Sequence, residues 1–179
     1  DGSNYIAIKD VGVSPKGSVT QVFFISGYEI NVDNVTIHDT ADSYSSNTFQ
    51  IQDTKEKAIV KNVCVKNGNN GCVLTGCYET KNIVVEQCSN RKYTIDGRFI
   101  PDSNFEIERG LLKALFPHKP STGYGYENGT YKKCDVVYNS TLKEFGETGS
   151  MYVIDKWVFK ETGSNSADNW IEYRSLTGN

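Results

Sequence analysis

The chain has 179 residues, enough to bury a sizeable core in one domain or two small ones. Apolar content is 37%, methionine and proline are scarce, and Gly, Asn, Ser and Thr are abundant, which is the composition of a β-rich, turn-rich protein. A formal charge of −3 gives no electrostatic basis for a nucleic-acid or anionic-membrane partner, and no apolar run is long enough to insert into a bilayer.

Strand-like sequence begins almost at once, with no signal-peptide pattern at Asp1, as in a piece of something longer. Tyr5–Ile8 and Val22–Ile25 read as two strands separated by the turn Ser14-Pro-Lys-Gly17, with Tyr28 to Val32 leading onward. A phrase then occurs three times: Asn34-Val35-Thr36-Ile37, Asn62-Val63-Cys64-Val65 and Asn82-Ile83-Val84-Val85. Steps of 28 and 20 residues separate the copies, and Thr48–Ile51 and Cys72–Thr75 lie between them as second short strands. Repetition at this period is the mark of a solenoid. Each coil then lays its strands on the coil below. Alternation places Val35, Val63 and Ile83 in one inward row and Ile37, Val65 and Val85 in another. Asn34, Asn62 and Asn82 form a structural ladder at one corner. Asn tolerates left-handed backbone and carries both a donor and an acceptor to pass along the stack.

The loop from His38 to Asn47 is the longest insertion, and insertions in solenoids gather on one face, often the binding face. It holds Asp39 and Asp42, the weak candidates for a catalytic carboxylate pair; solvated turn residues are the plainer reading of both. Five cysteines without metal spacing read as reduced, small apolar residues of the stacks, with a Cys72–Cys77 disulfide as the alternative. No cofactor or metal is expected. Asn34-Val-Thr, Asn128-Gly-Thr and Asn139-Ser-Thr fit the glycosylation sequon, as chance permits in so Asn/Ser/Thr-rich a chain.

Past Cys88 the pattern continues weakly through Tyr93–Asp96. Residues 102–116 are expected to form a helix, with an apolar stripe of Phe105, Leu112, Leu115 and Phe116 ended by Pro117. Such a helix would cap the open end of the coil, so that residues 1–100 are solenoid, 101–123 capping helix and linker, and 124–179 a small antiparallel β module. The module's expected strands are Cys134–Tyr138, Met151–Ile154, Lys156–Lys160 and Trp170–Tyr173. Its aromatic density suggests sugar binding, because flat rings stack on sugar C–H faces while their polar tips reach hydroxyls. The candidate ligand-binding residues are Tyr124, Tyr126, Tyr152, Trp157 and Trp170; for the two tryptophans, packing into a small β core is the stronger reading.

The run Tyr131-Lys-Lys-Cys134-Asp135-Val-Val-Tyr-Asn139, followed by Trp157-Val-Phe-Lys and Asn169-Trp170, resembles a module at the ends of β-helical bacteriophage tail-spike and tail-fibre proteins. The usual form there is Y-x-x-G-D-x-V-x-N, then G-W-V-C-x-x-x-G and a closing W. Cys134 stands where that family has Gly, and Asp155-Lys156 where a Gly often precedes the Trp. The Asn-led repeats are similar to the pectate-lyase-like right-handed parallel β-helix of the same proteins. The resemblance implies an all-β chain, a homotrimer in the virion made in the host bacterial cytoplasm, and a structural part that binds a bacterial surface polysaccharide. It leaves two alternatives: a polysaccharide-degrading enzyme with carboxylates on the β-helix face, and a self-cleaved C-terminal assembly domain. The polygalacturonase-type Asp pairs and Gly-His-Gly, and a lyase-type Arg/Lys cluster, are not found in the sequence.

Overall fold

The computed structural model describes residues 4–14, 21–38, 47–52, 56–66, 70–86, 90–96, 98–100, 105–120 and 130–178. The chain divides into two units, Asp1–Gly110 and Leu111–Asn179. The boundary lies inside the stretch expected to be helical.

In the first unit, long and short strands alternate: β1 (Tyr5–Val13), β2 (Gln21–Ser26), β3 (Glu29–Ile37), β4 (Asn47–Gln52), β5 (Lys57–Lys66), β6 (Asn70–Leu74), β7 (Cys77–Glu86) and β8 (Asn90–Ile95). The long strands stack in parallel in the order β1-β3-β5-β7, and the short ones in the order β2-β4-β6-β8. This is a parallel β-solenoid of about 4 coils. The expected rows are present: Val35, Val63 and Ile83 are in register, as are Ile37, Val65 and Val85, and all six are buried. The short strands add rows of their own, Phe49–Cys72–Tyr93 and Ile51–Leu74–Ile95. Cys72 and Cys77 are buried in separate rows and are not joined by a disulfide.

Each long strand is two inward-facing segments joined by a corner. In β3, Ile30 and Val32 are buried before the corner and Val35 and Ile37 after it, a change of parity. Asn34 causes the change: its φ of 54° is left-handed, which turns the chain by one residue without ending the strand pairing. Asn62 and Asn82 do the same at φ 51° and 59°. The left-handed well is sterically costly for most residues and easiest for Gly and Asn, so the residue type follows from the backbone. A fourth copy precedes the three: Asp10, at φ 56°, turns β1 between Ile8 and Val11, in register with the next coil.

The ladder at this corner is less uniform than a column of amides. Asn82 Nδ2–H donates to Asn62 Oδ1 at 2.9 Å. Asn62 instead donates to the Asp33 carboxylate at 2.8 Å, and Asn34 donates to Asp10 Oδ1 at 2.6 Å. A carboxylate within reach is the stronger acceptor and takes the amide proton. Outside the core, Lys57–Glu29 (3.1 Å), Lys61–Glu79 (2.8 Å) and Lys66–Glu86 (3.0 Å) pair between neighbouring coils. Hydrogen bonds to Glu29 and Glu86 raise the affinity of Lys57 and Lys66 for their protons.

The capping helix is not formed. Residues 105–108 and 111–116 are strands, β10 (Phe105–Glu108) and β11 (Leu111–Phe116), after the short β9 (Arg98–Ile100). The end of the solenoid is closed by strands: β9 pairs antiparallel with β8, and β10 with β7. Ile100, Phe105 and Ile107 are buried there, Phe105 meets Tyr93 edge-on at 4.9 Å, and Ile107 N–H donates to the buried Thr80 hydroxyl at 2.9 Å. Arg109 and Gly110, both at positive φ, make a turn where a helix would need right-handed backbone. The physical reason is edge satisfaction: the last coil exposes two rows of backbone donors and acceptors, which a strand can pair and a helix cannot.

In the second unit, β11 pairs in parallel with β13 (Val136–Asn139). The antiparallel strands β14 (Glu144–Phe145), β15 (Tyr152–Phe159) and β17 (Trp170–Leu176) extend from it, and β12 (Thr130–Tyr131) pairs with β16 (Gly163–Ser164). A 3₁₀ turn at Ala167–Asn169 is the helical segment among the described residues. The two strands expected across 151–160 are one, with a bulge between Ile154 and Lys156 where the Ser175 hydroxyl donates to the Asp155 carboxylate. Tyr131, Phe159 and Trp170 form the core, with ring centroids 4.8 to 5.3 Å apart.

Candidate functional site in the C-terminal unit

The Tyr131–Asp135 run is a structural knot. Asp135 is fully buried; its Oδ1 accepts the Leu112 N–H and its Oδ2 the Lys132 N–H, each at 2.8 Å. Its backbone is tied to Phe159, whose N–H donates to Asp135 C=O at 2.9 Å. Cys134 has φ 73°, left-handed backbone at the position where the resembled motif carries Gly. These residues hold β11, β13 and β15 together.

Beside them the unit opens a cleft of about 360 Å³, within the size range of small-molecule sites. It is lined by apolar Pro117, Phe145, Ile154 and Trp157 and by polar His118, Lys119, Asn139, Thr141 and Lys143. Asn139 shapes it: its Nδ2–H donates to Ile154 C=O at 2.9 Å, and its Oδ1 accepts the Thr141 N–H at 3.0 Å. That pair of bonds turns the chain out of β13 and brings Thr141 and Lys143 to the rim. Phe145 is held by pairing with Tyr152, on which it stacks at 5.8 Å. The loop behind it requires glycine at 146, where φ is 102° and a Cβ would lie 2.7 Å from Ser150 C=O.

Among the described residues, the charged side chains that line the cleft are Lys119 and Lys143. Lys119 lies 3.7 Å from Glu172, which Arg174 also pairs at 2.7 Å. The hydrogen bond from Arg174, helped by Lys119, holds the Glu172 carboxyl below the usual range, so it stays ionised. Lys143 has no carboxylate within salt-bridge distance among the described residues; its Nζ stands 6.0 Å from the centre of the Phe145 ring. Trp157 is 4% exposed, and its buried Nε1–H meets no acceptor among the described residues.

Of the five aromatic residues expected to bind ligand, Trp157 lies along this cleft, and Tyr152 supports it from behind Phe145 with Arg174 4.4 Å over its ring. Trp170 is a core residue: it is 4% exposed, packed against Tyr131 and Phe159, and its Nε1–H donates to Asn165 at 2.9 Å. Tyr124 and Tyr126, like Asp39 and Asp42, lie outside the described residues. Asn34, Asn62 and Asn82 lie at the left-handed corners of the solenoid. Sequence reasoning missed Lys119, Asn139, Lys143 and Phe145. Only the aromatic–basic spacing Lys143-Glu-Phe145 hinted at them, and nothing in one dimension places it beside Pro117 and Trp157.

A second aromatic feature lies on the opposite face of the same sheet. Tyr138, Lys156 and Tyr173 are neighbours across β13, β15 and β17, and Lys156 Nζ stands 5.9 and 5.0 Å from the two rings. Both tyrosines are exposed, and the one ammonium group stands over both rings.

The chain matches no protein-family model, no curated protein and no solved structure.

Proposed function

We propose that the chain is a structural, host-receptor-binding part of a bacteriophage tail spike or tail appendage. It assembles as a homotrimer in the virion and holds a bacterial surface polysaccharide. The observation that supports this most is the order of parts: an Asn-cornered parallel solenoid, then an antiparallel module built on Tyr131-x-x-Cys134-Asp135 and closed by Trp170. Cys134 has the left-handed backbone that Gly tolerates best, and Gly stands at this position of the resembled motif, which supports the reading. A solenoid suits adhesion, since stacked coils present side chains at fixed spacing on a rigid column.

The test is a panel of purified bacterial surface polysaccharides, neutral and acidic, immobilised and probed with the chain, with light scattering for the oligomer. Retention on at least one polysaccharide and a mass of three chains are expected. A monomer that binds none of the panel overturns the reading. Release of new reducing ends or unsaturated products would replace it with the enzymatic alternative.

A further inference from the structure

Resting on that reading, we propose that the cleft of the C-terminal unit is the glycan site and takes a sugar bearing a carboxylate, a hexuronic acid, in preference to a neutral one. Three features of the cleft converge on this ligand. The cleft presents the Phe145 ring, 38% exposed, a flat surface of the kind on which sugar C–H faces stack. Among the described residues no acidic side chain lines it, while Lys119 and Lys143 do, so the local field favours an anion over a neutral ring. Lys143 is the cation that Glu172 does not share, and it stands beside the ring a sugar would cover, which puts a carboxylate on the stacked sugar within its reach.

The third feature is the Trp157 indole. A buried N–H without an acceptor is uncommon in folded proteins, and an oxygen of a lodged sugar would complete it. The other tryptophan has its acceptor in Asn165. The assignment therefore separates the chain's two indole groups: one is finished by the fold and the other by the ligand.

Nitrogen–proton correlation spectra read this difference directly, because the two indoles give two signals. Titration with an oligogalacturonate is expected to move the Trp157 signal and leave the Trp170 signal in place, and an uncharged gluco-oligosaccharide of equal length to move neither at the same concentration. Lys143→Gln is expected to weaken oligogalacturonate binding roughly three- to fivefold and to flatten its salt dependence. Its unchanged Trp170 signal would certify the fold. The proposal is overturned if the neutral sugar moves the Trp157 signal equally, if oligogalacturonate leaves it unmoved, or if Lys143→Gln binds as the parent does. A chain that binds polysaccharides of the panel without disturbing Trp157 keeps the adhesive reading and loses this site. A chain that binds none of the panel loses the adhesive reading itself.

Discussion

In the solenoid, Val11, Val35, Val63 and Ile83 lie one above another, and the same holds for Val13, Ile37, Val65 and Val85; the C-terminal unit has no such repetition. Its core is three unlike rings, Tyr131, Phe159 and Trp170, and a buried carboxylate that terminates two backbone donors. The first arrangement spreads stability over equivalent layers, each contacting only its neighbours. The second concentrates it in groups that have no duplicate. Left-handed backbone shows the same contrast. The coils place Asp or Asn at their corners, with Arg109 in the closing turn, whereas the C-terminal unit places a cysteine at its one non-glycine example among the described residues.

The sharpest break of this contrast is Asp135→Ala. It leaves the Leu112 and Lys132 N–H groups without the carboxylate they share, and is expected to cost about 3–5 kcal/mol. Both tryptophans are in the C-terminal unit, so urea unfolding followed by fluorescence reports that unit, while the solenoid dominates the far-ultraviolet circular dichroism signal. The fluorescence transition should fall to much lower urea, with the dichroism transition keeping a component at its original midpoint. Loss of both together would mean that the two cores are not separate.

Next in size are Val35→Ala and Val63→Ala, each expected to destabilise the solenoid by about 2–3 kcal/mol. The layers are equivalent, so the two values should agree to within about 1 kcal/mol, read from the dichroism transition. A large disparity would show that one coil carries the others.

At the corner, Asn62→Gly keeps the left-handed backbone and loses the bonds to Asp33 and Asn82, whereas Asn62→Ala loses both. The alanine variant is expected to be less stable than the glycine variant by about 1 kcal/mol in the same denaturation series. Equal stabilities would assign the corner to its side-chain ladder alone. The smallest effect, and of opposite sign, is expected of Cys134→Gly. Relief of the left-handed penalty at an exposed site should raise the fluorescence midpoint by the equivalent of about 0.5–1 kcal/mol. A lowered midpoint would mean that the thiol makes up for the backbone it sits on.

The inward rows after each Asn were legible because strand parity is local: residues two apart share a face whatever surrounds them. The segment before each Asn was not credited with a row, since Ile30 and Val32 are out of phase with Val35 and Ile37 until the corner is known to be left-handed. The fourth copy was hidden because Asp10 replaces Asn and Gly12 occupies the variable position. Residues 105–116 were misread in a different way. Phe105 and Ile107, then Leu112, Ala114 and Phe116, alternate with exposed neighbours at a period of two, which the stripe Phe105–Leu112–Leu115–Phe116 obscured. Leu115, assigned to that stripe, is 39% exposed.

Residue order alone determined the coil, its inward valines and its amide corners, because these depend on alternation and on which side chains tolerate a left-handed φ. The strands that close the coil, the carboxylate that receives two distant N–H groups and the basic-aromatic cleft were decided by tertiary structure. Each depends on donors, acceptors or charges supplied by segments far apart in the chain, whose meeting no local pattern records.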